Sequence, residues 1–308
     1  MASSPRLWLV VNGKVAHDDA LRVGVTSLRE RGLDVAVRVT WESGDGRRLA
    51  GDGVEAGADV IVACGGDGTV GEVAAGILDR SDASSPSLAI VPMGTANDFA
   101  AAAGIPTDDV ETALGLAVDG RVSTIDVGRV DGRPFVNAAT GGFGASVTAD
   151  TPASLKRILG DVAYLITGLT RFGDLRPETG RIHGDGLEFE GDFWGLAVCN
   201  GPWVGPQIAI RPDARIDDGE LDVLVLPRLE EEGRRRAFER FREAGFAAFG
   251  DETITGRVSW LEIDLEAPIN LNLDGEPVEG RSFRIEVDHA ALRCAMPAGP
   301  TTSGRAPA

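Results

Sequence analysis

Cysteine and histidine are scarce in this chain, and it has no long hydrophobic run. The three cysteines, Cys64, Cys199 and Cys294, lie far apart in 308 residues. An odd, scattered set in apolar surroundings gives no disulfide framework and reads as buried free thiols. His17, His183 and His289 are equally dispersed, and no His/Cys pair has ligand spacing, so no zinc site is expected. No stretch approaches the ~20 apolar residues of a membrane-spanning helix, and the opening "RLWLVV" is too short for a signal-peptide core. The expectation is a soluble, cytoplasmic protein. Basic charge is also in deficit: 30 Lys and Arg stand against 48 Asp and Glu, a formal net charge of -18. That balance argues against nucleic acid as a partner, since nucleic-acid binders present a basic face. It also argues against tight electrostatic docking on anionic membranes. Internal repeats are absent.

What the chain does have is enough apolar content, 43%, for more than one core. Its length suggests two domains, since domains commonly run to roughly 100–200 residues. From Leu7 to Ile125 the period alternates. "LWLVVN" (Leu7 to Asn12) reads as a buried strand, and Leu21, Val25 and Leu28 then recur on one helical face that ends near Gly32. "DVAVRVTW" (Asp34 to Trp41) alternates like a strand, and "ADVIVACGG" and "SLAIVPMGT" are buried runs. Strands separated by helices predict an α/β domain with a parallel sheet, whose ligands bind at the carboxyl ends of the strands. Asn12, Thr40, the Gly65–Thr69 turn and the Gly94-Thr95 turn all fall at those ends.

Beyond "DGRVSTIDVGRV" short strands and glycine-rich turns predominate, predicting an all-β sandwich-like or barrel-like domain. Two helical stretches interrupt it. In "SLKRILGDVAYLITGLTRF" the residues Leu155, Ile158, Leu159, Val162, Leu165, Ile166 and Leu169 share a face, and "LEEEGRRRAFERFREAGFAAFG" is amphipathic. Each suits the open side of a sheet, or a membrane-facing surface. The expected boundaries are 1–125 for the α/β domain, with 291–297 returning to it, 126–290 for the β-rich domain, and 298–308 for a disordered tail.

Chemistry concentrates in four stretches. "GGDGT", Gly65 to Thr69, offers unobstructed amides, a following helix whose positive end faces the turn, and the Thr69 hydroxyl. Asp67 among phosphates implies an intervening cation, hence a magnesium nucleotide. The alternative is a turn kept for packing, with Asp67 as a helix N-cap. "VPMGTANDFA", Val91 to Ala100, supplies a second glycine turn with Thr95 and Asn97 as donors and Asp98 as a cap. "RPDARIDDGELDVLVL" and "NLDGEPVEG" hold Asp-Gly pairs that suit hairpin turns. On spacing alone, Asp274 and Glu276 are turn residues.

"GGDGTVGE", "PMGTANDFA", "SLKRILGDVAYLITGL", "PDARIDDGELDV" and "LDGEP" together resemble the bacterial diacylglycerol-kinase-like lipid kinases, over nearly the whole chain. "GGDGT" alone also occurs in NAD kinases and in sphingosine and ceramide kinases. The resemblance implies the NAD-kinase/diacylglycerol-kinase fold, with a nucleotide-binding first domain, an acceptor-binding second domain, and ATP with Mg²⁺. It places ATP contacts on Asn12, Thr40, Gly66, Asp67, Gly68, Thr69, Val70, Gly71, Glu72 and Thr95. It makes Glu276 the general base, with Asp67 assisting through the metal. A structural Mg²⁺ falls on the loop of Arg215, Asp218 and Glu220, with main-chain oxygens contributing at the first and last. The partner it implies is a lipid acceptor, with transient peripheral membrane contact and a homodimer compatible. The chain departs from the family in reading Asn12-Gly13-Lys14 after the first strand, which leaves a turn and puts Lys14 within reach of phosphate. "GPWVGPQIAI" replaces a glycine-rich loop, and Trp203, Val204 and Ile208 serve either the acceptor pocket or the core. The rival readings are NAD kinase, another small-molecule kinase, or a non-catalytic nucleotide sensor.

Overall fold

The structure is a computed structural model that describes residues 4–80, 85–142, 177–204, 208–228, 230 and 253–298. The stretch proposed as a helix near 154–172, all but Glu230 of the one at 229–250, and all but residue 298 of the tail expected at 298–308 lie outside the described residues.

The apolar runs of the first half become strands and the amphipathic runs become helices. In order these are β1 (Arg6–Val11), α1 (Asp19–Glu30), β2 (Asp34–Val39), α2 (Asp45–Glu55), β3 (Val60–Gly65), α3 (Asp67–Leu78), β4 (Ser87–Pro92), α4 (Asp98–Ala102) and α5 (Val110–Asp119). Strand β1 pairs in parallel with β2 and β3, and β3 with β4. Both β3 and β4 are buried along their whole length, which is why they read as unbroken hydrophobic runs. Helix α1 starts where the Asp18 carboxylate accepts the Leu21 amide at 2.9 Å, and it buries Leu21, Val25 and Leu28. Gly32, at φ +85, turns the chain out of it. The strand expected to run through Trp41 stops at Val39. The Asp45 carboxylate takes the Trp41 and Glu42 amides at 2.8 and 3.1 Å and bends the chain into α2.

The second half supplies β5 (Arg121–Val130), β6 (Arg133–Phe135), β7 (Ala138–Gly141), β8 (Glu178–Gly184), β9 (Leu187–Cys199), β10 (Trp203–Val204), β11 (Ile208–Ala209), β12 (Leu221–Pro227), β13 (Ile254–Val258), β14 (Trp260–Leu273) and β15 (Glu276–Met296). Within this half the strands pair antiparallel: β7 and β12 flank β9, β13 adds to β12, and β14 pairs with β7, β8 and β15. A core of Phe193, Leu196, Val198, Val223, Val225, Leu261, Ile263, Leu271, Phe283 and Ile285 fills it. Each such side chain contributes roughly 1.5–3 kcal/mol on burial.

The chain divides into two compact units, Met1–Asp126 with Ala290–Ala308, and Val127–His289. Both crossings fall inside strands, β5 and β15. Within the first unit, Cys294 of β15 pairs in parallel with Leu88 of β4. The fully buried Asp126 carboxylate accepts the Ala290 amide at 2.8 Å, fixing that residue at φ 54. Among the described residues no helix is long and apolar enough to cross a membrane.

Candidate active site

Four turns at the carboxyl ends of β1 to β4 are joined by hydrogen bonds into one junction. After β1, the Asn12 amide donates to the Cys64 carbonyl at 2.9 Å, and its Nδ2 donates to Thr69 Oγ1 at 3.0 Å. Asn12 Oδ1 accepts the Lys14 amide at 3.0 Å. The Gly13 amide donates to Thr40 Oγ1 at 3.2 Å, while a Cβ on Gly13 would stand 2.5 Å from the Thr40 carbonyl oxygen. Glycine is therefore required where this chain departs from the family pattern. The Glu72 carboxylate accepts the Gly44 and Gly46 amides at 3.1 and 2.7 Å, tying the start of α2 to α3.

The two glycine turns lie against each other. The Met93 amide donates to the Gly65 carbonyl at 2.8 Å, and a Cβ on Gly66 would be 3.0 Å from Gly94 Cα. A Cβ on Gly94 would press closer still on Gly66 Cα and would lie 2.8 Å from Asn97 Oδ1. What approaches these glycines in the structure is backbone. Asn97, at φ 55, closes the second turn by accepting the Gly94 amide at 2.8 Å and donating to the Gly94 carbonyl at 3.1 Å.

Asp67 does not cap its own helix; Gly66 is the N-cap of α3 and offers no side chain. The Asp67 carboxylate instead accepts the Phe99 amide at 3.2 Å, with the Asn97 and Asp98 amides also against it, and so docks the start of α4 on α3. Burial pushes its pKa up, opposed by those amides. The amides of Thr69 and Val70 both donate to the Gly66 carbonyl, and both side chains are buried. Gly68, Gly94 and Thr95 are exposed, and Gly71 is half-buried. The predicted contact residues of the first unit thus share one junction, in which Val70 is a core side chain.

In the second unit, Glu276 is exposed at the start of β15, paired with Leu273 across a two-residue turn. Asp274 and Gly275 hold φ of 50 and 106, the doubly left-handed geometry that Asp-Gly favours in hairpins. Asp274 also does more than turn the chain. Its carboxylate accepts three successive amides, Val136 at 2.6 Å, Asn137 at 3.0 Å and Ala138 at 2.9 Å. Asn272 Oδ1 holds the Gly275 amide at 2.6 Å. Spacing alone assigned Asp274 only a turn, because its partners lie far away in the chain.

In the loop expected to hold a structural Mg²⁺ the side chains are tied by ion pairs and a turn hydrogen bond. Arg215 pairs with Asp217, Nε to Oδ1 at 3.0 Å and Nη2 to Oδ2 at 3.2 Å. Asp218 Oδ1 accepts the Glu220 amide at 3.2 Å, and its Oδ2 faces Arg257 Nη1 at 3.9 Å. The same nitrogen is 3.5 Å from Glu220 Oε2. Arg257 stands beyond hydrogen-bond distance of Asp218, and the Asp218 carboxylate and the main-chain oxygens of Arg215 and Glu220 are donors of the type a hard cation takes. Among the described residues no group of three or more His, Cys, Asp or Glu side chains is placed to hold one. Next to it, burial pushes the Asp222 carboxyl up to about 6 against the pull of Arg211 and Arg257. Trp203 and Val204 form a small antiparallel pair with β11, and Val204 is buried.

Residues 6–130 match the family described as "Diacylglycerol kinase catalytic domain", and residues 137–296 match the "YegS C-terminal NAD kinase beta sandwich-like domain". A protein of Stenotrophomonas maltophilia (strain K279a) named "Probable lipid kinase YegS-like" is 45% identical over 303 residues, covering 96% of this chain and 98% of that one. A protein of the same name from Pseudomonas aeruginosa PAO1 is 44% identical over 301 residues, covering 96% of this chain and 95% of its own. The crystal structure of a diacylglycerol kinase from Bacillus anthracis str. Sterne shares the fold, with a TM-score of 0.78, 24% identity, and coverage of 97% of this chain and 99% of that one. The chain belongs to the diacylglycerol kinase catalytic-domain family, in its form with the YegS-type C-terminal domain.

Proposed function

We infer that the protein is a lipid kinase that transfers the γ-phosphoryl group of Mg-ATP to a hydroxyl of a diacylglycerol-type lipid. The observation that carries this reading is the junction of four turns at the carboxyl ends of β1 to β4, on a chain of this family. Glycine turns, the N-terminus of α3 and the Asn12 and Thr40 side chains converge there, and such a group of dipoles suits a triphosphate. Asn12, Thr40, the backbone from Gly66 to Gly71, and Thr95 contact the nucleotide. Glu72 positions the loop after β2, and Asp67 positions the turn that bears Thr95. Magnesium arrives with the nucleotide as part of the substrate and offsets phosphate charge.

Glu276 takes the proton of the acceptor hydroxyl as its oxygen attacks the γ-phosphorus. The new O–P bond forms as the bond to the β,γ-bridging oxygen breaks, and ADP leaves with that electron pair. A positioned general base contributes on the order of 10²–10⁴-fold, and fixed dipoles and cations around the phosphates contribute more. A neutral acceptor suits a chain of net charge -18 better than an anionic one. The protein works in the cytoplasm, touches the membrane transiently to reach its acceptor, and is compatible with dimer formation through an open sheet edge.

The test is transfer of labelled γ-phosphate from Mg-ATP to detergent-dispersed diacylglycerol, phosphatidylglycerol and a sphingoid base, with NAD alongside. A labelled lipid is the expected product. Labelled NADP would make the protein an NAD kinase, and ATP binding with no product on any acceptor would make it a nucleotide sensor.

A further inference from the structure

Of the five tryptophans, Trp8 and Trp194 are buried and Trp203 and Trp260 half-buried, whereas Trp41 is 94% exposed. Arg38 lies over the Trp8 ring at 4.2 Å, and His183 and Arg284 both meet the Trp260 ring. The Trp41 indole is left bare, yet the backbone beneath it is fixed. The Thr40 amide donates to the Val11 carbonyl at 2.9 Å, and Thr40 Oγ1 accepts the Gly13 amide. The Asp45 carboxylate takes the Trp41 and Glu42 amides, and Glu72 takes those of Gly44 and Gly46. The loop from Thr40 to Gly46 is thus tied to the turn after β1 on one side and to α3 on the other. An indole is a large flat apolar ring. Held in water on an ordered loop, it suits a flat partner that arrives from solution, because its ordering is already complete before binding.

We propose that Trp41 stacks on the base of the nucleotide whose phosphates occupy the junction. The proposal rests on the reading of that junction as a nucleotide site. Trp41 follows Thr40 at the carboxyl end of β2, so its Cα lies ~3.8 Å from that of a residue that contacts ATP in that reading. Thr40, Glu42 and Ser43 around it in the chain are polar or acidic, and only Val39 adds exposed apolar surface. That is the area of a ring, far short of the contiguous patch that marks a protein or membrane contact. Every base has a π-face, so Trp41 favours a nucleoside triphosphate over a bare polyphosphate without choosing adenine from guanine.

The test is titration calorimetry of the full chain with Mg-ATP and with magnesium tripolyphosphate, for wild type, Trp41→Ala and Trp41→Phe. The side chain is exposed, so both variants should melt like wild type. Trp41→Ala should bind Mg-ATP about tenfold more weakly, the size of base–aromatic stacking, with tripolyphosphate affinity unchanged. Trp41→Phe keeps an aromatic face and should recover most of the loss. Mg-ATP should quench the indole emission of wild type, and that quenching should vanish in Trp41→Phe. Unchanged Mg-ATP affinity in Trp41→Ala would overturn the proposal and leave the nucleotide reading standing. If the same variant then sedimented less with phosphatidylcholine vesicles, Trp41 would be a membrane contact instead. An equal loss for tripolyphosphate would also overturn it, since the indole would then act through the loop. If tripolyphosphate binds too weakly to measure, Trp41→Phe decides: no recovery over alanine would overturn the proposal. Wild-type protein that binds neither ligand would overturn the nucleotide reading itself, and the stacking with it.

Discussion

Replacing Gly94 by alanine probes whether the two glycine turns support each other. Carbon atoms attract best at roughly 3.5–4.0 Å. An added Cβ on Gly66 would stand 3.0 Å from Gly94 Cα, and one on Gly94 would stand closer still to Gly66 Cα, with Asn97 Oδ1 at 2.8 Å. The obstacle is backbone, so no rotamer change relieves it. The turns must separate, by about half an ångström for Gly66→Ala and by more for Gly94→Ala. Overpacking of this kind costs about 1–3 kcal/mol, and Gly94→Ala belongs at the upper end. With roughly 2–4 °C lost per kcal/mol in a protein of this size, its melting temperature should fall by about 5–10 °C. Nucleotide affinity should fall with it, at least tenfold, which is about 1.4 kcal/mol. Gly115, inside α5 with open space around its Cβ position, is the control. Gly115→Ala should stabilise the protein by about 0.5–1 kcal/mol and leave ATP binding unchanged. Differential scanning fluorimetry and titration calorimetry with Mg-ATP read both effects. A Gly94→Ala protein with wild-type melting and affinity would refute mutual support between the turns, as would Gly66→Ala proving the more damaging of the two.

Asp274→Ala strands three amides, so it should destabilise the second unit by on the order of 3 kcal/mol and lower kcat by loosening the turn that carries Glu276; denaturant unfolding and initial rates measure the two. Asp45 is held down at about 2 by the Trp41 amide, the Arg48 guanidinium and the Glu42 amide. Its folded pKa lies below the ordinary value of about 3.9, so its contribution is complete above roughly pH 4 and is lost as pH falls toward 2. Asp45→Asn should flatten the wild-type acid unfolding curve in that window. Burial pushes the Cys64 and Cys294 thiols up, Cys294 to about 12, and Cys199 is buried as well. A thiol reagent at pH 8 should therefore label none of the three before denaturation and all three after it.

Features set by local periodicity were legible in the sequence. The Leu21, Val25 and Leu28 face of α1 and the buried runs of β3 and β4 followed from side-chain spacing alone. The end of β2 did not, because "VTW" continues the alternation while the Asp45 carboxylate, four residues beyond Trp41, draws the chain aside. The glycines of "GGDGT" signalled a close approach, but not that Gly94 of another turn makes it. Asp67 was legible as either a cap or a cation partner. Its carboxylate accepts amides at the start of α4, a contact set by packing between turns about thirty residues apart. Asp274 and Arg257 were missed for the same reason. Their partners sit across strand pairings that leave no local trace, so an Asp-Gly turn and one arginine in a strand were all that showed.

The most direct test of Glu276 as the base of a lipid kinase compares wild-type and Glu276→Gln proteins. Both are assayed for transfer of labelled phosphate from Mg-ATP to dispersed diacylglycerol, with ATP affinity measured in parallel. Lipid phosphorylation should fall by about 10²–10⁴-fold in the variant, with ATP affinity unchanged. Equal phosphorylation by the two proteins would contradict that role.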